Sequence, residues 1–389
     1  MALAAKPPLG WNSWNTFSHE INEEVVRGVA DAMVREGLKD AGYEYVVIDD
    51  CWSTRERDEN GRLVPDPEKF PSGMKALADY VHSKGLKFGM YSCAGTHTCA
   101  EYPGGFEHEF IDAATYAAWG VDFLKYDYCN KPRYVDGAML YRRMAMALRN
   151  CGRDILFSAC NWGHDNTTDW IRSTGAHMYR STGDIVDSWP RIKELALSQM
   201  HEQKYSGPYC FNDMDMLVVG MYGRSFNSWI ADNAELTEEE RAKRTTEYRT
   251  HFSLWAMMNS PLMIGCDVRD MSEETKEILL NRDVLAINQD VEVRTPFVSP
   301  HWEDQPESLI RMWKPLENGD YAIGLFNFVD GGARITLPFW DMGLPTAAGY
   351  GFKLYDCWKH EEIGVFTERF TEVVEEHGCR LYRATLVKV

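Results

Sequence analysis

Short apolar runs rich in β-branched and aromatic residues alternate with stretches of helical period over the first three-quarters of the chain. That order predicts a parallel sheet with crossover helices. Residues 8–14, 43–50, 87–93, 122–129, 154–160, 177–182, 209–216 and 262–267 read as strands, and eight is the number that closes a barrel. Between them, Val25, Val26, Val29, Ala30, Met33 and Val34 recur at helical spacing behind an Asn22 cap, with Glu23 and Glu24 in the first turn. Residues 72–84 predict a second helix ending at Gly85. Thr237 and Glu240 fit a capping box at the head of a long helix running toward Met258. From about residue 296 the texture changes. Residues 308–316 and 321–328 flank Glu317-Asn318-Gly319-Asp320, an Asn-Gly hairpin signal, and Ala333, Ile335 and Leu337 alternate with Arg334 and Thr336. Further strand-like runs cover 352–358 and 379–387, so this tail predicts an antiparallel β domain. The expected division is 1–295 and 296–389, joined by a linker at 295–305.

The 389 residues include 44% apolar and 26% charged side chains, enough to bury a core. A net charge of −18 without a basic patch argues against nucleic acid and against anionic membrane surfaces as partners. No run is long and apolar enough for a membrane helix, and Met1 to Lys6 is too short for a signal peptide. The ten cysteines form no CxxC pair, and HExxH, GxSxG and phosphate-loop motifs are missing, so the chemistry falls to carboxylates. No metal or cofactor is expected.

A parallel barrel carries its active site at the C-terminal ends of its strands. There the sequence places Trp11 and Trp14, then Asp49, Asp50 and Trp52, then Tyr91, Lys125 and Asp127, Asn161 and Trp162, Arg180 and Asp184, Asp213 and Asp215, and Asp267. Acids beside indoles and an arginine suit a sugar, because carboxylates accept from vicinal hydroxyls while aromatic faces stack on the apolar face of a pyranose. A lone Asp after a strand is more often a helix cap, and Asp267 reads that way. The adjacent Asp49 and Asp50 repel each other unless a cation or hydroxyls bridge them. Lys125 and Asp127 point to the same side of one strand, so the lysine is expected to keep Asp127 ionised.

Gly10-Trp11-Asn12-Ser13-Trp14, Ile48-Asp49-Asp50-Cys51-Trp52, Lys125-Tyr126-Asp127-Tyr128-Cys129, Cys160-Asn161-Trp162-Gly163, Arg180-Ser181-Thr182-Gly183-Asp184 and Asn212-Asp213-Met214-Asp215-Met216 together resemble, in order and spacing, the α-galactosidases of glycoside hydrolase family 27. The resemblance implies a (β/α)8 TIM barrel followed by a C-terminal antiparallel β-sandwich, acting as a retaining exo-α-galactosidase without cofactor. It implies Asp127 as nucleophile and Asp184 as general acid/base, the latter kept protonated by neighbouring carboxylates. Asp49 and Asp50 would bind the 4- and 6-hydroxyls, Lys125 the 3- and 4-hydroxyls, and Arg180 and Asp215 the 2-hydroxyl side. Trp14, Tyr91, Asn161, Trp162 and Met216 would complete the pocket, with Cys99 and Cys129 beside it as a pair often disulfide-bonded in relatives. The implied partners are galactose-containing oligosaccharides or glycoconjugates, and a homo-oligomer is left open.

The family also contains α-N-acetylgalactosaminidases and β-L-arabinopyranosidases. Bulky Trp162 weighs against the first, and the intact Asp49–Asp50 pair against the second. A catalytically inactive carbohydrate-binding barrel is the non-enzymatic alternative, and a metal-dependent barrel hydrolase a third. Asn161 stands where many relatives carry Glu, Cys93 where the usual residue is Asp, and Phe211 and Met214 where Trp and Pro are usual. Cys51 and Cys160 lack the bridging partners of secreted relatives, with His19 and Met178 near those places. A cytoplasmic enzyme is therefore expected, the alternative being a secreted one whose signal has been removed.

Overall fold

The computed structural model describes residues 3–224, 236–299 and 308–389. The chain divides into two compact units. One comprises Met1–Asp187, Pro208–Asn233 and Pro261–Ser272, and the other Ser188–Gly207, Ala234–Ser260 and Glu273–Val389.

The first unit holds all eight expected parallel strands: β1 (Leu9–Asn12), β2 (Tyr45–Val47), β3 (Lys87–Cys93), β4 (Phe123–Asp127), β5 (Leu156–Cys160), β6 (Met178–Arg180), β7 (Phe211–Asp213) and β8 (Leu262–Ile264). They lie in the order β7-β6-β5-β4-β3-β2-β1-β8. The ring closes just past β7, where Leu217 bridges Ile264 in parallel, its N–H 2.8 Å from Met263 O. Nearly every strand residue is buried, which is why these segments read as continuous apolar runs instead of alternating ones. The helix Glu23–Arg35 begins where Asn22 accepts the Val25 N–H at 2.9 Å. The helix Gly73–Ser83 gives way to Gly85 at φ +71°. Asp267, as expected, caps a short turn, accepting from Arg269 N.

In the second unit, the helix Glu238–Met257 starts with both bonds of the expected capping box between Thr237 and Glu240. The tail forms β9 (Phe297–Val298), β10 (Leu309–Pro315), β11 (Tyr321–Asn327), β12 (Ala333–Pro338), β13 (Tyr350–Asp356), β14 (Glu361–Phe366), β15 (Arg369–Val374) and β16 (Cys379–Lys388). Six of these make an antiparallel sheet, β14-β13-β16-β11-β10-β9, while β12 pairs with β15. The Asn-Gly hairpin joins β10 to β11, with Gly319 at φ +78°. Ile335 and Leu337 from the small sheet pack with Ile323, Leu325, Phe352, Leu354 and Tyr382 of the large one in a single apolar core. Each such side chain removed from water contributes about 1.5–3 kcal/mol before chain entropy is counted.

The segment 295–305 is not a plain linker, because Phe297 and Val298 pair with Trp313 and Met312, while 300–305 lies outside the described residues. Strands β14 and β15 carry no apolar alternation for the sequence reading to find, because most of their positions are exposed or half-exposed. Among the described residues no helix is long and apolar enough to cross a membrane.

Candidate active site

A pocket of about 490 Å³ opens at the C-terminal ends of β1 to β7 and is lined by Trp14, Asn15, Asp49, Asp50, Tyr91, Cys99, Lys125, Asp127, Trp162, Arg180, Asp184, Ile185, Asp215 and Met216. Twelve of these fourteen were expected. Asn15 and Ile185 were not, and carry no sequence signal beyond lying next to quoted motifs. Of the residues expected at the strand ends, Trp11 and Trp52 are instead buried, their indole N–H groups donating to Cys266 O and Tyr91 O at 2.9 Å, and Asp213 and Asp267 also lie outside the lining. Two residues that the resemblance assigned to the pocket do not line it either. Asn161 is buried and turned into its own loop, donating to His164 O at 2.8 Å and accepting from Thr167 Oγ1 at 2.5 Å. Cys129 is joined in a disulfide to Cys99, which does line the pocket.

The adjacent acids have separate partners. Asp49 Oδ2 accepts from Lys125 Nζ at 2.8 Å and from Asn12 Nδ2 at 2.7 Å. Asn12 also accepts the Trp14 N–H at 2.9 Å, so one amide fixes both the acid and the neighbouring backbone of the indole. Asp50 takes backbone N–H groups from Cys51 at 2.7 Å and Ala100 at 3.1 Å. Burial raises its pKa, opposed by those donors and by Thr98, with the charge of Asp49 raising it further. The loop supplying Thr98 and Ala100 is tied down by the disulfide. It passes so close to the end of β4 that a side chain at Gly95 would meet Cys129 O at 2.0 Å. Cys93 donates to that same carbonyl at 3.0 Å, which gives its thiol a local role.

The expected Lys125–Asp127 contact is replaced by another. The ammonium is spent on Asp49, whose charge, with that of Asp127, outweighs burial and holds Lys125 well above its ordinary pKa. Asp127 accepts instead from Tyr91 Oη at 3.1 Å and Tyr128 N at 2.9 Å. Its pKa is not held low. Burial pushes it up to about 6, against the lowering influence of Lys125 and the Tyr128 N–H, with Asp49 and Asp184 adding to the rise. Burial and the Asp127 charge keep Tyr91 a protonated donor. Nor is Asp184 surrounded by carboxylates alone: Arg180 donates to it at 2.7 Å and to Asp215, also at 2.7 Å. Asp215 sits at φ +82°, held by Ile185 N at 2.6 Å and by its own N–H on Asp213 Oδ1 at 2.9 Å. Asp213, buried beside them, is likewise pushed up to about 6 by burial.

Carboxylates from four strand ends, two cations and two indoles thus share one small cavity, as recognition of a polyhydroxylated ligand requires. The family model for alpha galactosidase A matches residues 6–290, and that for the alpha galactosidase C-terminal beta sandwich domain matches 308–384. The chain belongs to the α-galactosidase family, glycoside hydrolase family 27. It is accordingly a glycoside hydrolase with a TIM barrel followed by a β-sandwich. Among its family relatives, the alpha-galactosidase of Cyamopsis tetragonoloba is 40% identical over 386 residues, covering 98% of this chain and 87% of that protein. Alpha-galactosidase A of Cellvibrio japonicus is 44% identical over 339 residues, covering 84% and 77%. The crystal structure of alpha-galactosidase I from Mortierella vinacea superposes with a TM-score of 0.87 at 32% identity, covering 98% of each chain.

Proposed function

We propose that this α-galactosidase family member releases terminal α-linked galactose from oligosaccharides and glycoconjugates by a retaining, two-carboxylate mechanism. The observation that carries the reading is that Asp127 and Asp184 line one pocket in contrasting surroundings. Asp127 is buried and supported by two donors, whereas the Asp184 side chain is 61% exposed. A nucleophile gains from a dry, fixed setting, and an acid/base must exchange protons with water.

Asp127 attacks the anomeric carbon as Asp184 protonates the departing glycosidic oxygen, so the C–O bond breaks while a glycosyl ester forms. Asp184, now ionised, takes a proton from water, the water oxygen attacks the anomeric carbon, and Asp127 leaves as carboxylate. Tyr91 Oη and Tyr128 N–H stabilise the Asp127 charge before attack and after release. Lys125, Asp49 and Asp50 accept and donate across the 3-, 4- and 6-hydroxyls of a galacto sugar, with Arg180 and Asp215 on the 2-hydroxyl side. Epimers that leave these buried groups unpaired are rejected.

A panel of 4-nitrophenyl α- and β-glycosides tests this. The α-galactoside should be hydrolysed in preference to the α-N-acetylgalactosaminide and the β-L-arabinopyranoside, and Asp127→Asn should lose roughly a thousandfold or more in turnover. Preference for either competitor would overturn the substrate assignment. Full turnover by Asp127→Asn would overturn the mechanism.

A further inference from the structure

A second cluster of donor atoms lies in the other unit and shares no residue with the pocket. His377, in the turn between β15 and β16, is 7% exposed and its ring stacks on Trp189 at 4.5 Å and 17°. Its Nδ1 lies 2.8 Å from Oε1 of Glu247, a buried residue of the Glu238–Met257 helix. An ionised carboxylate only accepts, so Nδ1 donates its proton to Glu247 and Nε2 is the ring nitrogen left to meet a ligand. Nε2 faces two more carboxylates, Asp330 Oδ1 at 3.5 Å and Glu376 Oε1 at 3.9 Å, and makes no hydrogen bond within the described residues.

Metal-binding histidines are oriented in this way, one ring nitrogen donating to a buried carboxylate while the other meets the ion. The three donor atoms lie within 4.8 Å of one another. Tetrahedral zinc with bonds of about 2.0–2.1 Å holds its donors about 3.3 Å apart, so small rotations of the two carboxylates would close the shell. Asp330 is 99% exposed and has room to turn. Glu376 is anchored by the Gly331 N–H on Oε2 at 3.1 Å, and its Oε1 is held by Lys243 Nζ at 2.5 Å. An arriving cation must displace that ammonium, which limits affinity.

We propose that His377 Nε2, Asp330 and Glu376 form a binding site for a divalent cation of the zinc type, with Glu247 orienting the imidazole. One nitrogen and two carboxylate oxygens match zinc better than the all-oxygen shells of calcium or magnesium. The ion would clip the segment after β11 to the β15–β16 turn, with a role in stability and none in the hydrolytic step.

The test is calorimetric titration of chelator-treated, full-length protein with zinc chloride, alongside thermal unfolding with and without zinc. The expected result is one saturable site and a zinc-dependent rise in Tm. Both should be lost in Asp330→Asn, whose zinc-free Tm should match the parent because the residue is solvent-exposed. Glu247→Gln should bind roughly tenfold or more weakly, and Lys243→Met more tightly. Absence of saturable zinc binding in the parent protein, or unchanged binding in both Asp330→Asn and Glu376→Gln, would overturn the proposal.

Discussion

Replacing Lys125 by Met removes the cation that stands between two of the pocket's acids. Lys125 and Asp127 are two residues apart on the same face of β4, a spacing of about 6.6 Å along a strand. At an effective dielectric constant of about 20, a unit charge at that distance contributes about 2.5 kcal/mol, or just under two pKa units. The substitution also strips Asp49 of its 2.8 Å ion pair, and Asp49 already raises Asp127. With Asp127 starting at about 6, the variant should titrate well above the parent, because both changes disfavour its charged form. The nucleophile must be ionised, so activity is lost as pH falls through its pKa. The acidic limb of kcat/KM for 4-nitrophenyl α-galactoside should therefore lie near pH 6 in the parent and move upward by one to two units, roughly, in Lys125→Met. Lys125→Arg, which keeps the charge, should hold the limb close to its original place even where turnover falls. An acidic limb that stays within a few tenths of a unit in Lys125→Met, or moves down, refutes the electrostatic reasoning.

Breaking the disulfide with Cys99→Ser releases a loop closed over a sequence separation of 30, with an expected loss of about 3–4 kcal/mol in denaturant unfolding on the chain-entropy argument. A higher KM should accompany it, because the freed loop carries the Ala100 N–H that holds Asp50. Lys314, buried against Ala256 O and Asn259 Oδ1, is pushed down to about 7 by burial. Its folded pKa lies below the unfolded value of about 10.4, so between these values only the unfolded chain is protonated there. Stability should rise with pH across that window, and denaturation midpoints of Lys314→Met at pH 7 and pH 9 should lack this increment. Asp184→Ala should lose activity unevenly: roughly 10²–10⁴-fold on galactosyl oligosaccharides, whose leaving groups need a proton, and much less in the first step with 4-nitrophenol as leaving group. Equal losses on both would remove Asp184 from the acid role.

The barrel was legible because strands buried on both faces leave unbroken apolar runs, and because polar residues collect where those runs stop. The antiparallel tail was legible where one face is buried, as in the alternation through Ile335 and Leu337, and illegible in Glu361–Phe366 and Arg369–Val374, where few positions are buried and the residues read as loop. In the site, the acids could be found from their positions at strand ends, but their partners could not. The sequence sets Lys125 beside Asp127 along the strand, whereas curvature of the barrel brings Asp49, from two strands away, within 2.8 Å. Backbone donors such as Ala100 and Ile185 have no side-chain signature at all, and Asn161 differs from its pocket neighbours only in how its loop folds back.

The most direct test of the mechanism is to trap the enzyme with an activated fluorinated galactosyl donor that forms the ester quickly and hydrolyses it slowly, then map the labelled peptide by mass spectrometry. The account predicts one equivalent of sugar esterified to Asp127. Label on Asp184 or any other side chain, or turnover that inverts the anomeric centre without a covalent adduct, would contradict it.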